Sequence, residues 1–276
     1  MQRGCAYQRY VRHNRSRVFG HTIADIGRGC LSALLCALIA AGCANTLTPD
    51  PAVRYVAFGD STTAGAADRD YHDFLSEMLD EPPETFANAG SGGESAEMGL
   101  ERLRHLIDHE IYPNAQTLFY WQGGAAILEF IAETDPFLLM RPDAPDYPFH
   151  AQLAQVLETT QSHIEQAIEA GHRAGWTVYV ATYYPLPTWP TPCDPMWLDI
   201  MLPAQARNAN VYRRMLNEHI RQAVARQSAI LVDVEAIEQL GTNPDQYVDC
   251  NHLSTEGNRI VAESFSEVVT QSDSVE

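Results

Sequence analysis

Five short apolar segments separated by helical patterns constrain this chain more than any other feature of the sequence. The segments cover residues 53–58, 85–88, 117–121, 176–182 and 230–234. Their β-branched and aromatic residues favour strands, and the stretches between them include amphipathic helical patterns. Strands that alternate with helices form parallel sheets that are covered on both faces. The sequence therefore predicts an α/β domain: a three-layer αβα sandwich around a five-stranded parallel sheet of flavodoxin-like type.

The first predicted strand ends in a turn that presents a serine. Gly59 and Asp60 break the strand, Ser61 follows, and a helical pattern containing Phe74 and Leu75 comes next. Ligands of open α/β sheets bind at the carboxyl ends of strands, and a following helix offers free backbone N–H groups there. Ser61 is therefore a candidate nucleophile. The alternative interpretation is a turn that only caps a helix.

A second candidate group lies near the other end of the chain. Asp249 and His252 are three residues apart, just before a helix predicted to start near Ser254 or Thr255. Serine is a weak nucleophile unless a base takes its proton, and the base needs a third group that fixes its tautomer. Asp249 would orient His252, and His252 would activate the serine. Alternatively, the segment is only a helix N-terminus with Asp249 in its turn.

Three segments together resemble blocks of the GDSL, or SGNH, family of serine hydrolases. Gly59-Asp60-Ser61 with the threonines and glycine that follow resembles the first block of the family, and Asp249-Cys-Asn-His252 resembles the last. Asn88-Ala-Gly90-Ser-Gly-Gly93 resembles the second block. The blocks occur in the family's order, and the resemblance spans roughly residues 53–269.

This resemblance implies a function and a set of catalytic residues. It implies the SGNH hydrolase fold with strand order 2-1-3-4-5 and hydrolysis of an acyl or acetyl ester through an acyl-enzyme, without a cofactor. Ser61, Asp249 and His252 would form the catalytic triad. The backbone N–H groups of Ser61 and Gly90 would form the oxyanion hole, with a third from Gly124.

One block departs from the family pattern. The third block of the family carries Gly-x-Asn-Asp, and its Asn side chain donates a hydrogen bond to the oxyanion. The matching stretch here places Ala125 at the Asn position and Ala126 at the Asp position. Alanine has no side-chain donor, and loss of one such donor typically costs about 100- to 1,000-fold in turnover. The oxyanion hole is therefore predicted to be atypical, unless Gln122 or a backbone N–H replaces the Asn.

The first 42 residues have the pattern of an export signal. Six arginines precede and flank an apolar run, residues 31–42, that is shorter than the about 20 residues needed to span a bilayer but suits a signal-peptide core. The run ends in Ile39-Ala-Ala-Gly-Cys43, which resembles a bacterial lipobox and implies a lipid on Cys43. The alternative is an ordinary signal peptide with a chance cysteine.

These segments predict the organisation and location of the protein. Residues 1–42 would be a lipoprotein-type signal peptide, residues 43–51 a tether, and residues 52–276 the hydrolase domain. The mature protein would be exported to the bacterial cell envelope as an outer-membrane lipoprotein that faces the periplasm. Its first partner would then be the membrane that holds its lipid anchor.

The net charge of the predicted mature protein excludes nucleic acid as a partner. Removing residues 1–42 takes away six arginines and one aspartate, so the formal net charge falls from −18 to −23, and the chain contains no lysine. Such a surface repels nucleic acid, so the expected partner is a small-molecule, lipid or sugar ester.

Export favours a disulfide between Cys193 and Cys250, although two free thiols are the alternative. No Cys/His cluster has metal-ligand spacing, so no metal is expected.

Several functional alternatives stay open at this point. An acyltransferase that passes the acyl group to a sugar hydroxyl would share every step except the last acceptor. A lipoprotein with weak or lost turnover and a binding or scaffolding role is supported by Ala125 but opposed by the intact Ser61, Asp249 and His252. Two apolar loops, residues 137–140 and a tryptophan-containing segment around 189–197, would either line the substrate pocket or pack on the domain surface.

Overall fold

The computed structural model describes residues 48–193 and 199–274, and the described part contains seven strands, numbered in chain order. They are β1 (Tyr55–Gly59), β2 (Phe86–Gly90), β3 (Thr117–Trp121), β4 (Thr177–Ala181), β5 (Thr191–Pro192), β6 (Ile200–Met201) and β7 (Ile230–Val232). Five of them form one parallel sheet in the order β2-β1-β3-β4-β7. This order confirms the predicted fold class and the predicted strand order 2-1-3-4-5.

Seven α-helices accompany the strands in the described residues. They are α1 (Ser61–Ala64), α2 (Tyr71–Met78), α3 (Ala96–Asp108), α4 (Gly124–Thr134), α5 (His150–Arg173), α6 (Pro203–Gln227) and α7 (Thr255–Asp273). Short 3-10 turns cover Pro83–Thr85, Val234–Ala236 and Pro244–Gln246. The helices alternate with the strands of the parallel sheet as the sequence predicts, because amphipathic periodicity extends over most of them.

The helices cover the sheet in two outer layers. On one side α2 packs against α7, where the ring of Tyr71 stacks on that of Phe265 with centroids 5.1 Å apart. On the other, α5 packs against both α3 and α6. The chain reverses its direction of travel across the sheet after β2, and right-handed crossovers then place the helices on opposite faces. Aromatic side chains of the central strands, such as Phe58 and Phe119, are fully buried between the layers.

Two local features differ from the sequence prediction. The predicted serine turn contains a short helix of its own, since α1 ends at Ala64 and α2 starts later with a capping box in which the Asp70 N–H donates to Asp73 Oδ2 at 2.9 Å. The proline-rich segment after β4 contains β5 and β6, which pair as a short antiparallel ribbon. Because prolines interrupt this segment, it shows no alternation of apolar and polar residues that would predict these two-residue strands.

The domain begins at the edge of the sheet where the strands start. The Asp50 N–H donates to the Ile111 carbonyl at 2.8 Å, and Asn114 Nδ2 donates to the Pro51 carbonyl at 2.8 Å. Asp50 and Pro51 come just before the first residue of β1, and Ile111 and Asn114 come just before the first residue of β3. The carboxyl ends of the five parallel strands, including the turn with Ser61, lie at the opposite edge.

A disulfide links Cys193 and Cys250, whose Cα atoms are 4.9 Å apart. The two cysteines are 57 positions apart in the chain, and closing a loop of that length stabilises a fold by about 4 kcal/mol in the chain-entropy view. The Cys250 N–H also donates to the Pro192 carbonyl at 2.8 Å. The bridge therefore fastens the loop between Asp249 and His252 to the proline-rich segment.

Several predictions concern the first part of the chain. Residues from Pro49 onward form one compact unit. The predicted signal peptide, the lipid attachment at Cys43 and most of the tether lie outside the described residues, so the proposed domain boundaries stay predictions. Within the described part of the chain, none of the helices combines the length and the apolar character that crossing a membrane requires.

Candidate active site

The turn after β1 is shaped by a glycine and a buried carboxylate. A Cβ atom on Gly59 would collide with the carbonyl of Trp121 and the hydroxyl of Thr63, so only glycine fits between these elements. Asp60 is 3% exposed, and its Oδ1 accepts from the Thr62 N–H at 3.0 Å and from the Thr62 hydroxyl at 2.7 Å. Asp60 thus caps α1 and places Ser61 at the first position of that helix.

The second oxygen of Asp60 is held by Tyr183, which lies in the segment after β4. The Tyr183 hydroxyl donates to Asp60 Oδ2 at 2.5 Å and accepts from the Gly124 N–H at 2.8 Å. Burial, followed by the negative charge of Asp60, raises the pKa of Tyr183 well above its usual value, so the hydroxyl keeps its proton. Sequence reasoning missed this residue, because no local pattern distinguishes it from its neighbour Tyr184.

The loop before α7 orients His252. The ring atom Nδ1 of His252 is 2.8 Å from Asp249 Oδ2, while Asp249 Oδ1 accepts from the N–H groups of both Asn251 and His252 at 2.7 Å. This arrangement places a proton on Nδ1 and leaves the lone pair of Nε2 free to act as a base. The sequence spacing of three residues predicted this contact.

Ionisation of Asp249 is favoured in the folded state. Burial by itself would raise the pKa of Asp249, but the hydrogen bonds and charge of His252 and the two backbone N–H donors outweigh it, so the pKa is lowered. A carboxylate with a lowered pKa adds stability above its unfolded value of about 4. That contribution is lost as the pH falls through the lower native value.

The structure brings the two distant segments into contact at the nucleophile. His252 Nε2 lies 3.0 Å from Ser61 Oγ, although the two residues are 191 positions apart. Serine, histidine and aspartate are therefore connected by successive hydrogen bonds in the order that a nucleophile, its base and the orienting acid require. Ser61, His252 and Asp249 form one site at the carboxyl edge of the sheet.

The predicted oxyanion donors Gly90 and Gly124 need correction. The Gly90 N–H donates to the side-chain oxygen of Asn88 at 2.9 Å, and the Gly124 N–H donates to the Tyr183 hydroxyl. An N–H group that already has a good acceptor is not free for a developing oxyanion. Of the three predicted backbone donors, Ser61 alone keeps an N–H without a hydrogen bond among the described residues.

The structure offers Gly93 as a second backbone donor. Gly93 lines the same cavity as Ser61, and its N–H makes no hydrogen bond within the part of the chain that the structure describes. Its φ of 74° lies in the left-handed region that favours glycine. The neighbouring Gly92 lies close enough that an added Cβ would stand 3.9 Å from the Ser61 Cβ. The resemblance of the whole Asn88–Gly93 block pointed to this loop, and the structure shows that Gly93 is the glycine of the block that lines the cavity.

Gln122 does not replace the missing side-chain donor. Its side chain is buried, and its Nε2 donates to the carbonyls of Glu94 and Ser95 at 2.9 Å. Glu94 is itself buried and held by Arg102 at 2.6 Å. Gln122 thus joins the sheet to the start of α3, behind the nucleophile.

A small cavity of about 50 Å³ opens beside Ser61. Its polar rim includes Ser61, Gly93, Asn251 and Arg213. Its apolar walls come from α4 and α6 and consist of Ala125, Ile127, Leu128, Ile131, Ala209 and Leu216, with Leu186 from the segment after β4. Ala125 therefore lies at the reaction site, as the alignment of the third block predicts.

The described residues of the two apolar loops considered from the sequence, 137–140 and 189–193, do not line this cavity. Phe137 and Leu139 are 60% and 75% exposed, whereas the ring of Trp189 packs against Tyr247 with centroids 6.0 Å apart. Met196 and Trp197 lie outside the described residues. The described apolar walls come instead mainly from α4 and α6, two helices that the sequence did not connect with a pocket.

Comparison with known proteins identifies the family of this chain. The sequence profile of the GDSL-like Lipase/Acylhydrolase family matches residues 57–260. The chain belongs to this family. The match extends from the strand before Ser61 to the helix after His252 and so includes every block discussed above. No curated protein matches the chain significantly.

Solved structures of GDSL/SGNH hydrolases share the fold. A lipase/acylhydrolase from Enterococcus faecalis is 17% identical with a TM-score of 0.52, over 78% of this chain and 94% of that one. The lipase Lip_vut3 from a goat rumen metagenome is 14% identical with a TM-score of 0.58, over 78% and 97%. The psychrotrophic esterase EstA from Pseudoalteromonas sp., inhibited by monoethylphosphonate, is 13% identical with a TM-score of 0.51, over 80% and 98%. At these identities the similarity establishes the fold.

One group of metal-binding residue types occurs in the described residues of this family member. Ligand atoms of Asp70, His72 and Asp73 lie within 4.8 Å of one another at the start of α2. Asp73 already accepts from the Asp70 N–H as part of the helix cap, and His72 Nε2 lies 3.6 Å from Asp73 Oδ1. These contacts give the cluster a structural role, and the expectation that no metal is used stays a prediction.

Removing the Tyr183 hydroxyl should destabilise the fold. Tyr183→Phe leaves the buried Asp60 carboxylate with one donor residue fewer and the Gly124 N–H without its acceptor, so we expect the free energy of unfolding to fall by about 2–4 kcal/mol. Tyr212→Phe is the matched control, because its hydroxyl pairs at 2.8 Å with the neutral hydroxyl of Tyr147 and should cost about 1 kcal/mol. Urea denaturation measures both. Equal losses in the free energy of unfolding would mean that the hydrogen bond from Tyr183 to the Asp60 carboxylate stabilises the fold no more than a bond between two neutral hydroxyls.

Proposed function

We propose that this chain is a serine ester hydrolase that works through an acyl-enzyme intermediate. The observation that carries the proposal is the continuous contact from Asp249 through His252 to Ser61, with distances of 2.8 Å and 3.0 Å. Membership of a family of ester-cleaving hydrolases supports the same reaction class. In this reaction His252 Nε2 takes the proton of Ser61 while Oγ attacks the ester carbonyl.

The remaining steps follow from the same groups. The carbonyl oxygen becomes an oxyanion, which accepts from the N–H groups of Ser61 and Gly93. His252 then gives its proton to the departing alcohol oxygen, and the acyl group stays on Ser61 Oγ. A water molecule then attacks the acyl carbon and loses a proton to Nε2, the bond between the acyl carbon and Oγ breaks as Nε2 returns the proton to Ser61 Oγ, and the carboxylic acid leaves. Asp249 stabilises the charged ring in both halves of the reaction.

The cavity beside Ser61 favours a short acyl group. A cavity needs about 10–15 Å³ of the same measure for one water molecule, so about 50 Å³ accommodates an acyl group of roughly two to four carbons. Its walls are apolar, which suits the methyl end of such a group. We therefore propose acetyl or other short acyl esters as the substrates, with the alcohol part outside the cavity.

Triad variants test the proposed mechanism. Ser61→Ala and His252→Ala should each remove nearly all hydrolysis of p-nitrophenyl acetate, because the two residues act as a unit, and Asp249→Asn should lose somewhat less. A fluorophosphonate probe should label the wild type and not Ser61→Ala; a phosphonate also inhibits the structurally similar esterase from Pseudoalteromonas. A His252→Ala variant that kept most of its activity would show that another group is the base.

Acyl-chain preference tests the role of the cavity. Wild-type kcat/KM should fall from acetate and butyrate to octanoate esters. Leu216→Ala should raise the octanoate-to-acetate ratio of kcat/KM by about tenfold or more, because each newly buried methylene contributes about 0.8 kcal/mol.

Ile220→Ala is the matched control for the cavity variant. Ile220 is buried one turn further along α6, so its truncation should cost a similar stability of about 2–5 kcal/mol without changing the ratio. A wild-type preference for octanoate, or equal ratios in the two variants, would contradict the proposal that this cavity holds the acyl group.

Two alternative functions are separated by the same assays. An acyltransferase would use the same triad but give acylated sugar as its product, so adding a sugar acceptor would divert the acyl group from water. A binding lipoprotein without turnover would neither hydrolyse the esters nor react with the probe. The intact contact between His252 and Ser61 favours an enzyme over this second alternative.

We also propose that the protein is exported and lipid-anchored through Cys43. The support is the sequence pattern of residues 31–43. Expressed in a Gram-negative host, the wild type should incorporate radiolabelled fatty acid and fractionate with the outer membrane, and Cys43→Ser should do neither. Absence of label from the wild-type protein would reject the anchor without affecting the proposed ester hydrolysis.

A further inference from the structure

Asn251, which lies between Cys250 and the catalytic histidine, presents its side-chain amide to the reaction site. Its Nδ2 lies 3.3 Å from His252 Nε2, the atom that also contacts Ser61 Oγ at 3.0 Å. We propose that Asn251 is a catalytic residue that donates to the oxyanion in place of the side chain that Ala125 lacks, and that Arg213 is the positioning residue that holds it. This inference rests on the ester hydrolysis proposed above.

Arg213 fixes which end of the Asn251 amide faces the site. Its Nη2 lies 2.5 Å from Asn251 Oδ1, and since a guanidinium only donates hydrogen bonds, the amide oxygen must point toward it. The amide nitrogen is then forced to the opposite side, toward His252. The orientation is therefore determined by chemistry and is not an arbitrary choice between two similar atoms.

Arg213 and Asn251 are in turn held by Tyr184. Arg213 Nη1 donates to the Tyr184 carbonyl at 2.9 Å, and the guanidinium carbon lies 5.3 Å from the centre of the Tyr184 ring. The buried Tyr184 hydroxyl donates to the Asn251 carbonyl at 2.7 Å. The amide is thus preorganised by contacts that do not involve a substrate, which is what an electrostatic contribution to catalysis requires.

In the resting enzyme the amide competes with the nucleophile for one lone pair. Because Nδ1 of His252 carries the proton that faces Asp249, Nε2 has a single lone pair. Both the Ser61 hydroxyl and the Asn251 Nδ2 are within hydrogen-bond distance of that lone pair. The amide N–H therefore lies beside the nucleophile and shares the Nε2 lone pair with it as an acceptor.

Proton transfer removes this acceptor as the oxyanion forms. When Ser61 Oγ bonds to the carbonyl carbon, its proton moves to Nε2 and the carbonyl π electrons move to the oxygen. Nε2–H and Nδ2–H are then two donors facing each other, which is unfavourable. The new oxyanion is an anionic acceptor, and it forms at the cavity that Ser61, Gly93 and Asn251 line together. The Asn251 N–H consequently interacts more strongly with the transition state than with the ground state, which raises kcat.

Three other candidate donors near Ser61 already have acceptors. The N–H groups of Gly90 and Gly124 and the Gln122 amide each have an internal acceptor at 2.8–2.9 Å. Asn251 is therefore the side chain that best fits the vacant role. Its backbone N–H bond to Asp249 does not depend on the side chain, so truncation leaves the loop connected.

Truncation and rescue test this assignment. Asn251→Ala should lower kcat for p-nitrophenyl acetate by about 100-fold with little change in KM. Adding Ala125→Asn should restore at least tenfold in the Asn251→Ala background, whereas Ala125→Asn alone should change the wild-type kcat by less than about threefold. Arg213→Met should lower kcat less than Asn251→Ala and should be rescued in the same way. A purely structural role would predict no rescue.

Asn208→Ala is the matched control on α6. Its Nδ2 donates to the Leu138 carbonyl at 2.7 Å, outside the site, so kcat should stay unchanged. If kcat of Asn251→Ala stays within threefold of wild type, or if a folded double variant shows no rescue, the inference is wrong. If wild type neither hydrolyses esters nor reacts with the fluorophosphonate, the proposed function itself fails.

A transition-state analogue decides the question if the double variant does not fold. A trifluoromethyl ketone adds to Ser61 as a hemiketal with an oxyanion. Its inhibition constant should therefore rise in Asn251→Ala by about the same factor by which kcat falls. An unchanged inhibition constant would overturn the inference even if kcat fell. Equal losses in both quantities would support it.

Discussion

The geometry of the site depends on the hydrogen bonds of the buried Asp60 carboxylate. It joins three parts of the chain: its own turn through Thr62, the segment after β4 through Tyr183, and, through the same tyrosine, the Gly124 N–H at the start of α4. A buried charge is costly unless it is fully hydrogen-bonded. The fold must therefore keep these elements together, and Ser61 is positioned as a result.

The fold and the triad could be predicted because their signals are local. Each central strand is a short β-branched and aromatic run, and the alternation with helices leaves few possible topologies. Ser61 lies two residues after the end of a strand, and Asp249 reaches His252 within three residues. The parallel sheet then brings both segments to one edge, so their contact needed no information beyond the fold.

The oxyanion donors could not be predicted because the direction of a backbone N–H depends on its tertiary partners. Gly90 is occupied by the Asn88 side chain, two residues away, and Gly124 by a tyrosine 59 positions away. Arg213 is one of several arginines on a polar helix, and nothing in its neighbours distinguishes it. Its contact with Asn251 exists only once α6 has packed beside the loop before α7.

The point at which the chain enters the domain also has a consequence. Residues 50 and 51 are fixed beside Ile111 and Asn114, at the edge where the strands begin. The nucleophile lies past the other end of β1, five residues or about 16 Å along the strand. The entry of the chain and the nucleophile therefore lie at opposite edges of the sheet. In the lipid-anchored protein proposed above, Ser61 would therefore face away from the edge of the domain at which the chain enters, and an ester substrate would reach it from the side opposite the anchor.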